Sequence, residues 1–215
     1  MIRISGVPLD SSTLIHEYGG SSIEMICLDI LQSSSKIYEY NTLNDLKFEL
    51  NLRAKIVDAS IQLYNSRLAF STFRESRCNP EYWKRTEEGG FLLKNDVSPF
   101  DAINDIYSNT RLYATECATA IVIIYYKAIA DIYPADLFNN IFRVIYLMNW
   151  SRLDRNLGIN TYRNLMDYLP GDCRYFNNPD VDPLTPEWQG ENAIDLSGGM
   201  YYGHGIGIKT ADKII

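Results

Sequence analysis

Three places in this sequence carry side chains able to act on a carbonyl carbon. In "YATECATAIVIIYYKAIADIY", residues 113–133, Glu116 stands directly before Cys117 at the start of an apolar run. Thr115 has the side chain of a helix N-cap, which would put Glu116 and Cys117 in the first turn, beside exposed N–H groups and the positive end of the helix dipole. A thiolate is stabilised there and the cysteine pKa falls. The competing reading makes Cys117 a small apolar filler, since free cysteine is among the most buried residue types. A nucleophile also needs a base, and the downstream sequence offers Glu191 in "WQGENAIDL" and His204 in "YYGHGIGI". Each has a plainer alternative: Glu191 as a solvated strand end, and His204 as a turn histidine hydrogen-bonded to its surroundings.

The elements that must position these groups follow from periodicity. "SSIEMICLDILQS" and "NTLNDLKFELNLRAKIVDASIQLYN" carry apolar residues at three and four spacing behind Ser, Asn or Thr caps, and are predicted helices. "YWKRTEEGGFLLK" reads as a hairpin turning near Gly89 and Gly90. "SPFDAINDIYS" opens with Ser98 as N-cap, Pro99 at the first helical position and Asp101 in the first turn. The segment around Cys117 is apolar on nearly all faces and is predicted to be a central helix. "FRVIYLM", "GDCRYF", "ENAIDL" and "YYGHGIGIK" are short, aromatic or branched, and bounded by turn residues, so each is predicted as a strand. A helical half followed by a strand-rich half indicates an α+β fold.

Composition removes several classes of function. The 215 residues, 46% of them hydrophobic, suit one domain spanning 1–215 with its own core. A net charge of −7 without a basic block argues against nucleic acid as a partner. The start, "MIRISGVPLDSSTLIHEYGG", lacks the apolar core of a secretory signal, so synthesis in the cytoplasm is expected. The longest apolar run, "ATAIVIIYY", is about half of what a membrane span requires, and no membrane association is expected. Cys27, Cys78, Cys117 and Cys173 contain no CxxC pair, and His16 and His204 are the two histidines. Neither a disulfide framework nor a metal site is expected.

The runs "ECATAIVIIYY", "GDCRYFNNPD", "WQGEN" and "HGIGI", in this order and spacing, together with "FELNLRAKIVDA" and "FSTF", closely resemble the spore-coat protein-glutamine gamma-glutamyltransferases, the transglutaminases of endospore-forming bacilli. The resemblance covers most of the chain. It implies a papain-like fold of the NlpC type, related to bacterial cell-wall cysteine peptidases, with a central nucleophile helix packed on an antiparallel sheet. It implies cross-linking of coat proteins by a monomer, without calcium or any other cofactor, after synthesis in the mother cell. By resemblance Cys117 is the nucleophile, Glu191 its catalytic partner, Glu116 a partial substitute, and His204 the histidine of the "HG" motif. Phe70, Trp150 and Trp188 match aromatic residues of the family's substrate tunnel. Cys173, with Asp172 beside it and no helix terminus, is read as structural. Family members continue past "GIGIKTADKII" with a further, rather basic segment, so the sequence is expected to be naturally short or truncated.

The implied reaction transfers the acyl group of a protein-bound glutamine to a lysine of a second protein through a Cys117 thioester. A carboxylate is a weak base toward a thiol. The scheme therefore requires a thiol pKa lowered by the helix end, or a Glu191 pKa raised by an apolar site. Two other readings stand beside it. One is a cysteine peptidase or amidase using His204 as base; the other is a coat or scaffold protein that keeps the fold without turnover.

Overall fold

The computed structural model of the chain describes residues 1–10, 12–15, 17–18, 20–163, 165–181 and 189–214. At the N-terminus β1 (Ile2–Ile4) lies between β2 (Val7–Pro8), antiparallel to it, and β3 (Tyr38–Tyr40), parallel to it. The short α1 (Ser12–Ile15) and then α2 (Ile23–Ser33) connect them. Ser22 caps α2 by accepting from the Met25 N–H. Next, α3 (Leu43–Ser66) opens on a reciprocal capping box between Thr42 and Asp45, which satisfies two of the orphan donors of the first turn.

The length of α3 lets it serve two hydrophobic clusters. Leu46 and Leu50 pack with Ile2, Leu28 and Leu31, whereas Ile56, Ala59 and Leu63 join the larger cluster that surrounds the central helix. Behind α3 comes β4 (Ala69–Phe70), then the hairpin of β5 (Trp83–Arg85) and β6 (Phe91–Leu93). Glycine is required at position 89: φ is +92°, and an added Cβ would stand 2.0 Å from the Phe73 carbonyl oxygen. In α4 (Pro99–Ser108), Ser98 accepts from Asp101 N–H and Pro99 takes the first position, as predicted.

β7 (Ala114–Thr115) pairs in parallel with β4, setting Ala69 opposite Ala114 and Phe70 opposite Thr115. It runs straight into α5 (Cys117–Ala130), in which every residue but Tyr125 is buried. Burial on nearly all faces fits its aliphatic sequence. The one cation of α5, Lys127, pairs with Asp131 and lies 5.5 Å from the centre of the Tyr107 ring. After α6 (Ala135–Ile141) only Tyr146 and Leu147 of "FRVIYLM" become a strand, β8 (Tyr146–Leu147), which extends the β5–β6 hairpin.

The last sheet is antiparallel, with order β12-β11-β10-β9, from β9 (Cys173–Asn177), β10 (Gly190–Asp195), β11 (Met200–Gly203) and β12 (Gly207–Thr210). "YYGHGIGIK", expected as one strand, is a hairpin with His204 in its turn. Gly205 at φ +106° and Gly207 at φ +82° supply the left-handed backbone for the reversal. α5 packs against α3 on one side and β10 on the other. This is the α+β, papain-like arrangement of a central helix on an antiparallel sheet.

Candidate active site

The site forms where three elements end together: the β7–α5 junction, the start of β10 and the β11–β12 turn. The helix begins one residue later than predicted. Thr115 belongs to β7, and Glu116 is the N-cap, its carboxylate accepting from Ala118 N–H at 2.9 Å. The other oxygen of the same carboxylate accepts the Cys117 thiol hydrogen at 2.7 Å. Asn192, on β10, donates from its amide to Cys117 Sγ at 3.7 Å. Cys117 itself is 6% exposed.

The expectation that the helix terminus would depress the thiol pKa is overturned. Burial, then the negative charges of Glu116 and Glu191, push it up to about 12. A helix end contributes partial charges at its first turn, whereas the Glu116 carboxylate beside a buried thiol contributes a whole one, and desolvation, the largest cause, works in the same direction. Glu191 meets the other condition. Its pKa is raised to about 8 by burial first and by the Glu116 charge second, partly offset by a hydrogen bond from the His204 backbone N–H. Its Oε1 is buried without a hydrogen-bond partner among the described residues. Room for it comes from Gly203, where an added Cβ would lie 2.8 Å from Glu191 Cγ and 2.9 Å from Oε1.

His204 is close to this cluster but its ring faces elsewhere. Nδ1 meets Tyr202 Oη at 3.1 Å and Nε2 meets the Ala69 carbonyl at 3.3 Å. Since a carbonyl only accepts, Nε2 carries the proton and the neutral ring accepts from Tyr202 at Nδ1. Burial pushes the ring's pKa down to about 4, so it stays neutral at ordinary pH. The structure thus joins the His204 ring to β4 and, by a bond to the Thr115 backbone, to β7, and joins its backbone to Glu191, with no hydrogen bond to the thiol among the described residues. A peptidase that relies on this imidazole as base loses its support.

A cleft of about 1330 Å³ opens in front of the cluster, lined by Glu116, Ala118, Asn192, Trp150, Tyr175 and Phe176 among others. Trp150 is therefore on the same cleft as the residues flanking Cys117. Phe70 is 37% exposed and its ring lies 5.9 Å from that of His204. Trp188 lies outside the described residues. Cys173 also lines the cleft; burial pushes its thiol well above the ordinary range. Asn192 and Gly203 were not picked out from sequence. Asn192 is the last letter of the "GEN" motif and could have been found as a polar residue inside an apolar strand; Gly203 gave no signal beyond its neighbours in "YYGHG".

A buried thiol bonded to a carboxylate and an amide, at the start of a central helix and beside a cleft that Glu116, Ala118 and Asn192 line, is the arrangement of a papain-like thiol protein. Comparison with known proteins places the chain more narrowly. A family model described as "TGL: Protein-glutamine gamma-glutamyltransferase" matches residues 1–215. A protein-glutamine gamma-glutamyltransferase of Bacillus cereus (strain B4264) is 46% identical over 188 residues, covering 87% of this chain and 67% of that protein. Its counterpart in Bacillus mycoides (strain KBAB4) is 45% identical over the same span. A solved structure, "Transglutaminase from Geobacillus stearothermophilus (without C-terminal extension)", superposes with a TM-score of 0.78 at 55% identity, over 81% of this chain and 83% of that one. The chain belongs to the protein-glutamine gamma-glutamyltransferase family and is a transglutaminase.

Proposed function

We propose that Cys117 carries the acyl group in this transfer and that Glu191 moves the protons. One observation carries the reading: the Cys117 thiol donates to Glu116 at 2.7 Å, and it feels the charge of Glu191, a buried carboxylate with an unpaired oxygen and a pKa of about 8. A general base works best when its pKa lies near the operating pH, which an ordinary carboxylate fails and Glu191 satisfies. The thiol is too weak an acid to ionise first, so its proton passes to Glu191 as Sγ bonds to the carboxamide carbon of a glutamine. The C–N bond then breaks, ammonia leaves with that proton, and a thioester remains. A lysine ammonium gives a proton to Glu191, its amine attacks the thioester, and the C–S bond breaks as the second amine proton passes to Sγ, leaving an isopeptide bond and the free thiol, after which Glu191 releases its proton to solvent.

Each proton and charge in this scheme is handled by a side chain, so the transfer runs without calcium or another cofactor. Trp150, and by resemblance Phe70 and Trp188, shield the thioester from water until the amine arrives. The substrates are glutamine- and lysine-bearing spore coat proteins, met after synthesis in the mother cell, with the enzyme a monomer. Residues 1–215 act as one catalytic domain, because α3 contributes to both hydrophobic clusters.

The test is incorporation of a fluorescent primary amine into a glutamine-rich protein, with a chelator present. Incorporation that disappears in Cys117→Ala and falls sharply in Glu191→Ala supports the reading. Full incorporation by Cys117→Ala, or none by the intact chain unless calcium is restored, overturns it.

A further inference from the structure

We propose that Asn192 is a catalytic residue of this site, its side-chain amide holding the oxygen that becomes negatively charged when the thiol adds to the glutamine carboxamide. The inference rests on the reading of Cys117 as the acyl-carrying nucleophile.

Addition of Sγ to the carboxamide carbon moves the C=O π electrons onto oxygen. That oxyanion forms on a carbon bonded to Sγ, and Asn192 Nδ2 stands 3.7 Å from Sγ. Oxyanion donors act at about 2.7–3.1 Å from the position the charged oxygen reaches, and such an oxygen lies in the space between a donor at this distance and the sulfur. When the C–N bond breaks, the electron pair returns to re-form C=O. The amide therefore binds more tightly in the transition state than before or after.

The other neighbours of the thiol cannot take this part. The Glu116 carboxylate presents acceptor oxygens and would repel an oxyanion, and the one proton that Glu191 takes from the thiol is committed to the departing nitrogen. The His204 ring is held between Tyr202 and Ala69. Asn192 instead presents N–H groups and lines the cleft through which a glutamine side chain enters. Its backbone is fixed within the ladder opposite Tyr175 on β9, which keeps the amide directed at the sulfur without reorganisation during reaction.

Two variants separate catalysis from packing: Asn192→Ala removes the donor, and Asn192→Asp keeps the shape while replacing the N–H groups by an acceptor. For each, kcat and KM for amine incorporation are measured beside the rate of Cys117 alkylation by iodoacetamide, a displacement at a saturated carbon that forms no oxyanion. Loss of one oxyanion donor is expected to lower kcat about 10²–10³-fold with KM little changed. In Asn192→Ala the alkylation rate should change by less than about tenfold, as fits removal of one neutral hydrogen bond to sulfur, whereas the charge added in Asn192→Asp lowers it further. If kcat stays within a few-fold of the intact enzyme in either variant, or if alkylation of Asn192→Ala falls in proportion to its kcat, the proposal is overturned. Cys117→Ala, run alongside, keeps the two readings apart: its turnover would overturn the nucleophile assignment itself.

Discussion

Cys117 and Glu116 are bound to each other through their side chains, thiol to carboxylate at 2.7 Å, while the same carboxylate caps the helix that Cys117 begins. One charged group thus fixes the helix start and sets the electrostatics of the sulfur. Neutralising it by Glu116→Gln leaves a side-chain oxygen able to cap but removes a charge that raises the pKa of both Cys117 and Glu191. The expected outcome is a pH–rate profile whose rising limb moves to lower pH, with kcat/KM within about tenfold of the intact enzyme at its own optimum. An unmoved limb would show that Glu116 is not coupled to the proton carrier.

Glu191 also makes stability depend on pH in a particular direction. Its pKa in the folded chain is about 8, above its ordinary value of 4.5. The protonated form is favoured by folding, so its contribution is fully present below about 4.5 and is lost as pH rises through 8. Glu191→Gln, which stays neutral, should therefore melt near the intact chain at about pH 4 and above it at about pH 9, with the gap widening between. Thermal melts across that range check this; a gap that shrinks with rising pH would contradict it.

Gly203 makes a separate prediction because its backbone is ordinary and only the space matters. In Gly203→Ala the new methyl meets the Glu191 side chain at 2.8 Å, and Ile206 at the same distance. The carboxylate must move. A stability loss of about 1–3 kcal/mol is expected from overpacking, and kcat/KM should fall at least about tenfold because the base is displaced. Melting curves and amine-incorporation kinetics read the two effects separately.

Trp150 stands partly exposed on the cleft. Trp150→Ala should admit water to the thioester, so that ammonia release exceeds amine incorporation by several-fold more than in the intact enzyme. Paired ammonia and incorporation assays measure the partition. An unchanged ratio would remove Trp150 from the water-excluding role.

Much of this arrangement was legible in the sequence because it rests on local signals. The caps at Thr42 and Ser98, the aliphatic run of α5 and the glycines of the β5–β6 turn each dictate structure within a few residues. The N-terminal sheet was not legible, since β1 pairs in parallel with β3 across more than thirty residues and each strand has three. The direction of the Cys117 pKa was misjudged for the same reason. The helix terminus is visible in sequence, whereas the burial of the sulfur, the largest cause of the rise, and the nearness of Glu191, brought by β10 from far along the chain, are products of tertiary packing. The "HG" motif marks His204 in the sequence, but the partners of its ring, Tyr202 and Ala69, are fixed by the β11–β12 turn and the β4 edge.

The assignment of Cys117 as acyl carrier is tested most directly by trapping the intermediate. The intact chain is mixed with a glutamine peptide in the absence of amine, quenched in acid within the first turnover, digested and mapped by mass spectrometry across its four free cysteines. An adduct equal to the peptide less ammonia, on the fragment containing Cys117 and absent from Cys117→Ala, is the expected result. The same adduct on Cys173, or turnover persisting in Cys117→Ala, would contradict it.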